Sequence, residues 1–222
     1  HVEAGLRSFN RSMPEEVNRV LTDHIAALLF CPTPTAVNNL GVEGIEQGVF
    51  LTGDVMYDAA LYNAQLAEIK SDITERLDLS SGDYYLATVH RPANTNRQEN
   101  LENILGAFGS LDLDLILPIH PRTRKALSMF GVSIPENVQV IDPVGYLDML
   151  TLEKNARAIL TDSGGIQKEA YIFGVPCITL REDTEWWETV DAGWNTLVGA
   201  NSEQIIKAVN KSKPTGDRPD LF

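Results

Sequence analysis

From Tyr84 onward, short runs of consecutive apolar residues alternate with stretches in which apolar positions recur at helical spacing. The runs are YYLATVH, DLILPIH, VQVID, RAILTD, VPCITL and TLVG, each followed by an amphipathic segment. A strand that is apolar on both faces must be covered on both. Such runs interleaved with helices therefore predict βαβ units and a parallel sheet, a doubly wound α/β domain. Several runs close in polar residues or glycine, and open α/β sheets bind ligands at the carboxyl ends of their strands.

The first fifty residues follow another pattern. Pro14 ahead of Glu15 and Glu16 is a helix start, with proline in the first turn and acids near the positive end of the dipole. Val17, Val20, Leu21, Ile25 and Leu28 then recur at helical spacing and predict one apolar, core-facing stripe. His24 shares that face and reads, with Asp23, as a structural residue. A second helix is expected over about Thr33 to Leu40, a short strand near Val49 to Thr52, and a long helix from Met56 to about Leu77. The turn at Gly53–Asp54 is the expected boundary: residues 1–53 read as the tail of one domain and residues 54–222 as another. The chain opens on His1 rather than Met, which reads as a cut chain.

Charge and composition narrow the function. With 18 Lys and Arg against 31 Asp and Glu, the net charge is −13, which disfavours binding to nucleic acid. No stretch reaches the roughly 20 apolar residues of a membrane span, and no leader pattern is present, so a cytoplasmic protein without membrane partners is expected. Cys31 and Cys177 lie far apart in apolar strings without metal-ligand spacing. They read as buried thiols, with neither a disulfide nor a metal site.

The segment Thr161-Asp162-Ser163-Gly164-Gly165-Ile166-Gln167-Lys168-Glu169-Ala170 carries the strongest chemical signal. It follows a strand and opens a helix. Ser163 can cap the helix, Gly164 and Gly165 let an anion approach the free amides, and Glu169 lies one turn on, where a carboxylate can accept from ribose hydroxyls. A capped helix after a tight turn explains the same residues equally well. The segment matches neither a P-loop nor the glycine pattern of nicotinamide enzymes.

The five runs HVEAGLR, MPEEVNRVLTDH, TVHR, LTDSGGIQKEA and GVPCITLREDTEW stand in the order and approximate spacing of the non-hydrolysing UDP-N-acetylglucosamine 2-epimerases. The resemblance covers nearly the whole chain. It implies a glycosyltransferase-B architecture of two Rossmann-like domains facing across a cleft. Residues 1–53 would be the end of the first domain, and residues 54–222 the UDP-binding domain without its closing helix.

The implied reaction removes the C2 proton of UDP-GlcNAc as UDP leaves, gives a 2-acetamidoglucal, re-protonates C2 on the opposite face and adds UDP back, yielding UDP-ManNAc for surface polysaccharide. It needs acid and base groups near C2 and no cofactor or metal. By the same resemblance Glu3, Glu15, Arg19 and His90 match family positions near the sugar and diphosphate. Ser163, Gly164, Gly165 and Glu169 match binders of the diphosphate and ribose, and Arg181 matches as well. Backbone groups around Tyr146 would read the uracil edge, and His120 and Arg122 would line the cleft. Plainer readings stand beside these: a salt bridge of Glu3 with Arg7, and a Glu15–Arg19 helix pair worth about 0.2–0.5 kcal/mol.

Three departures weaken the substrate assignment. Trp186 stands where bacterial members carry an arginine in a Thr-Glu-Arg run, so it either shapes the sugar pocket or packs in a core. Val144 and Met149 replace other residues near the base. Family segments carrying basic diphosphate contacts and a catalytic aspartate would precede His1, so the 222-residue chain by itself is expected to be inactive or nearly so. Alternatives are an epimerase of a UDP-diacetamido-uronic acid, a glycosyltransferase-B UDP-sugar transferase, and a non-catalytic UDP-binding module. The implied partners are UDP and a UDP-N-acetylhexosamine, with a homodimer expected for the full-length protein.

Overall fold

The computed structural model describes residues 1–211 and 218–222. The chain begins with helix α1 (Pro14–Ile25), strand β1 (Leu29–Cys31), helix α2 (Pro34–Val42) and strand β2 (Val49–Leu51). The two strands pair in parallel, Leu29 opposite Val49. β1 was hidden in an apolar string too short to show a period. Thr33 starts α2 as expected, its Oγ1 accepting from Ala36 N at 3.2 Å.

α1 starts at Pro14 as expected but ends at Ile25, short of Leu28, and has the opposite orientation. Leu21 is 59% exposed and Ile25 84%, while Glu16 and Asp23 are buried and His24 lies at the surface. The stripe predicted to face the core therefore faces outward, and His24 is not a core residue. Polar demand explains the reversal. Glu16 accepts from Ser8 N, Ser8 Oγ and Phe9 N, each at 3.0 Å, and Asp23 from His1, Gly5 and Arg7. A buried carboxylate must be satisfied, and turning these two outward would strand their donors.

The long helix predicted from Met56 is broken. Helix α3 (Val55–Lys70) ends at Ser71, and the short helix α4 (Ile73–Arg76) follows. Ser71 Oγ donates to Asp148 at 2.6 Å and draws the backbone out of the helix.

All six apolar runs are strands. β3 (Tyr85–Thr88) leads through the one-turn helix α5 (Pro92–Thr95) and helix α6 (Gln98–Phe108) to β4 (Leu115–Pro118) and helix α7 (Pro121–Phe130). There follow β5 (Val138–Ile141), helix α8 (Tyr146–Asn155), β6 (Ala158–Thr161), helix α9 (Gly164–Phe173), β7 (Cys177–Thr179), helix α10 (Trp187–Asp191), β8 (Asn195–Leu197) and helix α11 (Ser202–Asn210). The strands run parallel in the order β5-β4-β3-β6-β7-β8, the doubly wound order in which the first strand lies centrally.

Alternation along β3 divides the core in two. Tyr85 and Ala87 join Leu101, Ile104, Phe108 and Ile205 on one face, while Tyr84 and Leu86 join Leu152, Ile159 and Ala170 on the other. Val144 and Met149 pack against the second cluster. α3 lies against α8 and α9, so the helix after the Gly53–Asp54 turn packs with the large sheet. Both cysteines are buried free thiols, and burial pushes them up to about 11 for Cys31 and about 12 for Cys177. Among the described residues, no helix is long and apolar enough to cross a membrane.

Candidate functional site at the topological switch point

Between β3 and β6 the connections diverge to opposite sides of the sheet, opening a crevice beyond the strand ends. Asp162 pins this point. Its buried carboxylate accepts from His90 N at 3.0 Å, Arg91 N at 2.9 Å and Asn94 Nδ2 at 3.0 Å. The end of β3 is thereby tied to the end of β6. Asp162 carried no role in the sequence reading, although an acid between a strand and a helix cap was a visible signal.

His90 is 3.3 Å from Asp162 through Nδ1, and its ring centroid is 5.4 Å from that of His120. Burial pushes its pKa below the ordinary histidine value. Asp162 opposes this, and His120, Arg91 and Arg122 add to it, so the imidazole is neutral near pH 7. His120 caps α7, its Nδ1 accepting from Arg122 N at 3.1 Å, which leaves Nε2 as the free edge. Both His120 and Arg122 are exposed.

Ser163 caps α9, with Oγ accepting from Ile166 N at 3.5 Å. A Cβ on Gly164 would lie 3.6 Å from Glu185 Oε2, and one on Gly165 would lie 3.8 Å from Met56 Cε, both ordinary contacts. The chain's own packing thus does not require glycine at either position. What a side chain there would obstruct is approach to the amides of the first turn. Glu169, one turn on, accepts from Tyr146 Oη at 2.8 Å. Burial raises the Glu169 carboxyl above the usual range, and Tyr146 and Lys168 offset part of the rise. The Tyr146 side-chain hydroxyl thus holds Glu169, a contact separate from the backbone groups expected to read the uracil edge. Behind Glu169 lies Glu153, fully buried, with neither oxygen partnered among the described residues.

The first thirty residues reach the same region. Glu3 sits in a left-handed turn with φ of 62°, and its Oε1 accepts from Lys168 Nζ at 2.7 Å. The turn is fixed by Gly5, where a Cβ would overlap the Ala36 carbonyl oxygen, and by Asp23. Asp23 accepts from His1 Nδ1 at 2.5 Å, Gly5 N at 3.0 Å and Arg7 Nη1 at 2.7 Å. Arg7 pairs with Asp23 and Glu43, so the Glu3–Arg7 bridge is not formed. The Glu15–Arg19 pair is not formed either. Glu15 reaches Arg91 at 2.8 Å, and Arg19 divides between Glu16 at 2.8 Å and Glu185 at 3.4 Å.

Arg181 bonds Asp183 at 2.7 Å and Glu185 at 3.0 Å, so its charge is already committed to carboxylates. Burial pushes Glu185 up, but Arg181 outweighs it and, with Arg19, holds the carboxyl below the usual range. Glu15, Arg91, Arg181, Asp183, Asn10 and Asn94 line a cavity of about 800 Å³, which Ser163, Gly164, Gly165 and Glu169 do not line. Trp186 is buried with Ala4, Leu6 and Leu29, meets Phe222 edge-on at 5.8 Å, and carries Lys168 Nζ over its ring at 4.2 Å.

The family model for UDP-N-acetylglucosamine 2-epimerase matches residues 1–219. The chain belongs to the UDP-N-acetylglucosamine 2-epimerase family. A Methanococcus maripaludis protein described as a UDP-N-acetylglucosamine 2-epimerase homolog is 54% identical over 222 residues, covering 98% of this chain and 62% of its own length. The Pseudomonas aeruginosa UDP-2,3-diacetamido-2,3-dideoxy-D-glucuronate 2-epimerase is 47% identical over 219 residues, covering 96% of this chain and 60% of its own. The crystal structure of Methanocaldococcus jannaschii UDP-GlcNAc 2-epimerase in complex with UDP-GlcNAc and UDP superposes with a TM-score of 0.91 at 48% identity. It covers 99% of this chain and 64% of that one. The chain spans about three fifths of the length of the curated relatives it matches. The neighbours bear out the expected glycosyltransferase-B-like architecture, here with a parallel sheet of 6 strands.

Proposed function

We propose that this chain supplies the nucleotide-binding part of a sugar-nucleotide epimerase that interconverts UDP-GlcNAc and UDP-ManNAc. The observation that carries the reading is the start of α9, where Ser163, Gly164 and Gly165 leave helix amides open beside the switch point, with Glu169 a turn further on. Residues 1–53 and 54–222 are proposed as the two units flanking the cleft. Free N–H groups and the dipole hold the diphosphate, Glu169 takes the ribose hydroxyls, and Tyr146 orients Glu169. His90, beyond the end of β3 with Nδ1 3.3 Å from Asp162, is suited to serve the leaving phosphate oxygen from Nε2 once it takes up a proton there. Glu3 and Glu15, with Arg19, are proposed to serve proton transfer at C2.

Calorimetry of the chain with UDP tests the cradle. Ser163→Ala and Glu169→Gln are each expected to weaken binding by about tenfold, the loss of one hydrogen bond to a charged group. No detectable UDP binding by the folded chain overturns the reading. For the full-length protein, UDP-GlcNAc in deuterated water is expected to gain deuterium at C2. Its absence would favour a transferase.

The resemblance to the Pseudomonas aeruginosa enzyme supports a second substrate, a UDP-diacetamido-uronic acid. Assay with both nucleotides separates the two. A homodimer acting in the cytoplasm is proposed from the resemblance, and sedimentation of the full-length protein tests the dimer.

A further inference from the structure

Lys168 is a lysine with 1% exposure on the second turn of α9, beside a residue proposed to bind ribose. Its three N–H donors have identifiable partners. Nζ donates to Glu3 Oε1 at 2.7 Å and to Asp54 Oδ2 at 2.6 Å, and lies 4.2 Å above the Trp186 ring. None is left over for a phosphate. Asp54 is buried, and its Oδ1 caps α3 by accepting from Met56 N at 2.8 Å, so the carboxylate beneath the lysine is fixed by the backbone. Trp186 is fixed by its own core. Of the groups around the cation, Glu3 alone is substantially exposed, with 36% of its side chain accessible, and its Oε2 has no partner among the described residues.

We infer that Lys168 is a positioning residue that holds Glu3 by one carboxylate oxygen and leaves the other presented for reaction. The Asp54–Lys168–Trp186 stack forms its rigid support. The assignment rests on the proposed role of Glu3 in proton transfer. A glutamate at this exposure otherwise samples several rotamers, and the strained turn beneath it fixes the backbone but not the carboxylate.

The test uses the full-length protein and separates positioning from the neutralisation of Asp54. Asp54→Asn alone keeps the α3 cap through its amide oxygen and keeps the Lys168–Glu3 pair, but gives up the Lys168–Asp54 pair, because the amide NH2 that replaces Oδ2 cannot accept from the lysine. Asp54→Asn combined with Lys168→Met removes the lysine without burying an unpaired charge. The double variant is expected to lose about 100-fold in kcat, the cost of a misplaced group, whereas Asp54→Asn, which loosens the support but keeps the Lys168–Glu3 pair, loses about tenfold or less. KM and the Kd for UDP should stay within about threefold. On a Glu3→Gln background, C2 deuterium wash-in should show little further loss from the same pair of changes, a non-additivity that a merely structural lysine would not produce. A double variant with the kcat of Asp54→Asn overturns the inference, as does a loss that adds fully to that of Glu3→Gln. If the wild type shows no wash-in, or Glu3→Gln turns over normally, the proposed function of Glu3 falls first and the inference with it.

Discussion

Replacing Glu153 by Met should stabilise the protein, and by an amount that grows with pH. The carboxyl is fully buried on α8, in the layer that contains Leu152 and Cys177, and neither oxygen has a partner among the described residues. Burial, and then the charge of Glu169, hold its pKa well above the ordinary value of 4.5. Unfolded, the carboxyl ionises near that ordinary value, while folded it keeps its proton to higher pH. The folded state therefore binds more protons, and stability fully present in acid is lost as pH rises until Glu153 ionises in the folded state. The loss is about 1.4 kcal/mol for each pH unit in that window. Methionine matches the length of glutamate and cannot ionise. It also removes an unsatisfied polar group, worth about 1–3 kcal/mol at any pH. Against a typical domain stability of about 5–15 kcal/mol, the sum is readily measured. Urea unfolding of both proteins at pH 5, 6, 7 and 8 gives the difference directly; titrations of groups that do not interact with Glu153 cancel in it, and the coupled response of Glu169 is part of the effect. A difference that stays flat across this range would show that Glu153 titrates alike in both states, and the argument from burial would be wrong.

Three further outcomes follow from the geometry. Gly5→Ala places a β-carbon in a backbone with φ of 78° and against the Ala36 carbonyl oxygen, so urea unfolding should report a loss of about 3 kcal/mol or more; less than about 1 kcal/mol would mean the Glu3 turn is not rigid. Arg7→Met leaves Asp23 and Glu43 without their shared cation, and thermal melting should show about 3–5 kcal/mol of destabilisation, which Arg7→Lys, unable to fork between two carboxylates, only partly restores. Tyr146→Phe removes the hydrogen bond that eases ionisation of Glu169, so UDP affinity measured by calorimetry should fall more at pH 6 than at pH 8; equal losses would show that Glu169 binds without regard to its charge.

The sheet and the serine-capped start of α9 could be read from the chain alone, because both rest on local rules. Six runs that were apolar on both faces had no stable placement except in a covered parallel sheet, and a serine ahead of two glycines after a strand marks an open helix start wherever it falls. Tertiary structure decided matters that depend on residues far apart in sequence. Periodicity showed that α1 is amphipathic but could not say which face is buried, since the donors for Glu16 and Asp23 lie on the preceding loop. Spacing put Glu15 beside Arg19 on one helix, yet each has a partner at least one element away, Arg91 and Glu185, with which no local pattern could pair it. Lys168 looked like one polar residue among several on α9. Its burial over Trp186 and between Glu3 and Asp54 arises only when segments 165 and 114 residues away in sequence pack onto α9, and a cation out of water takes whichever carboxylates the fold places within reach.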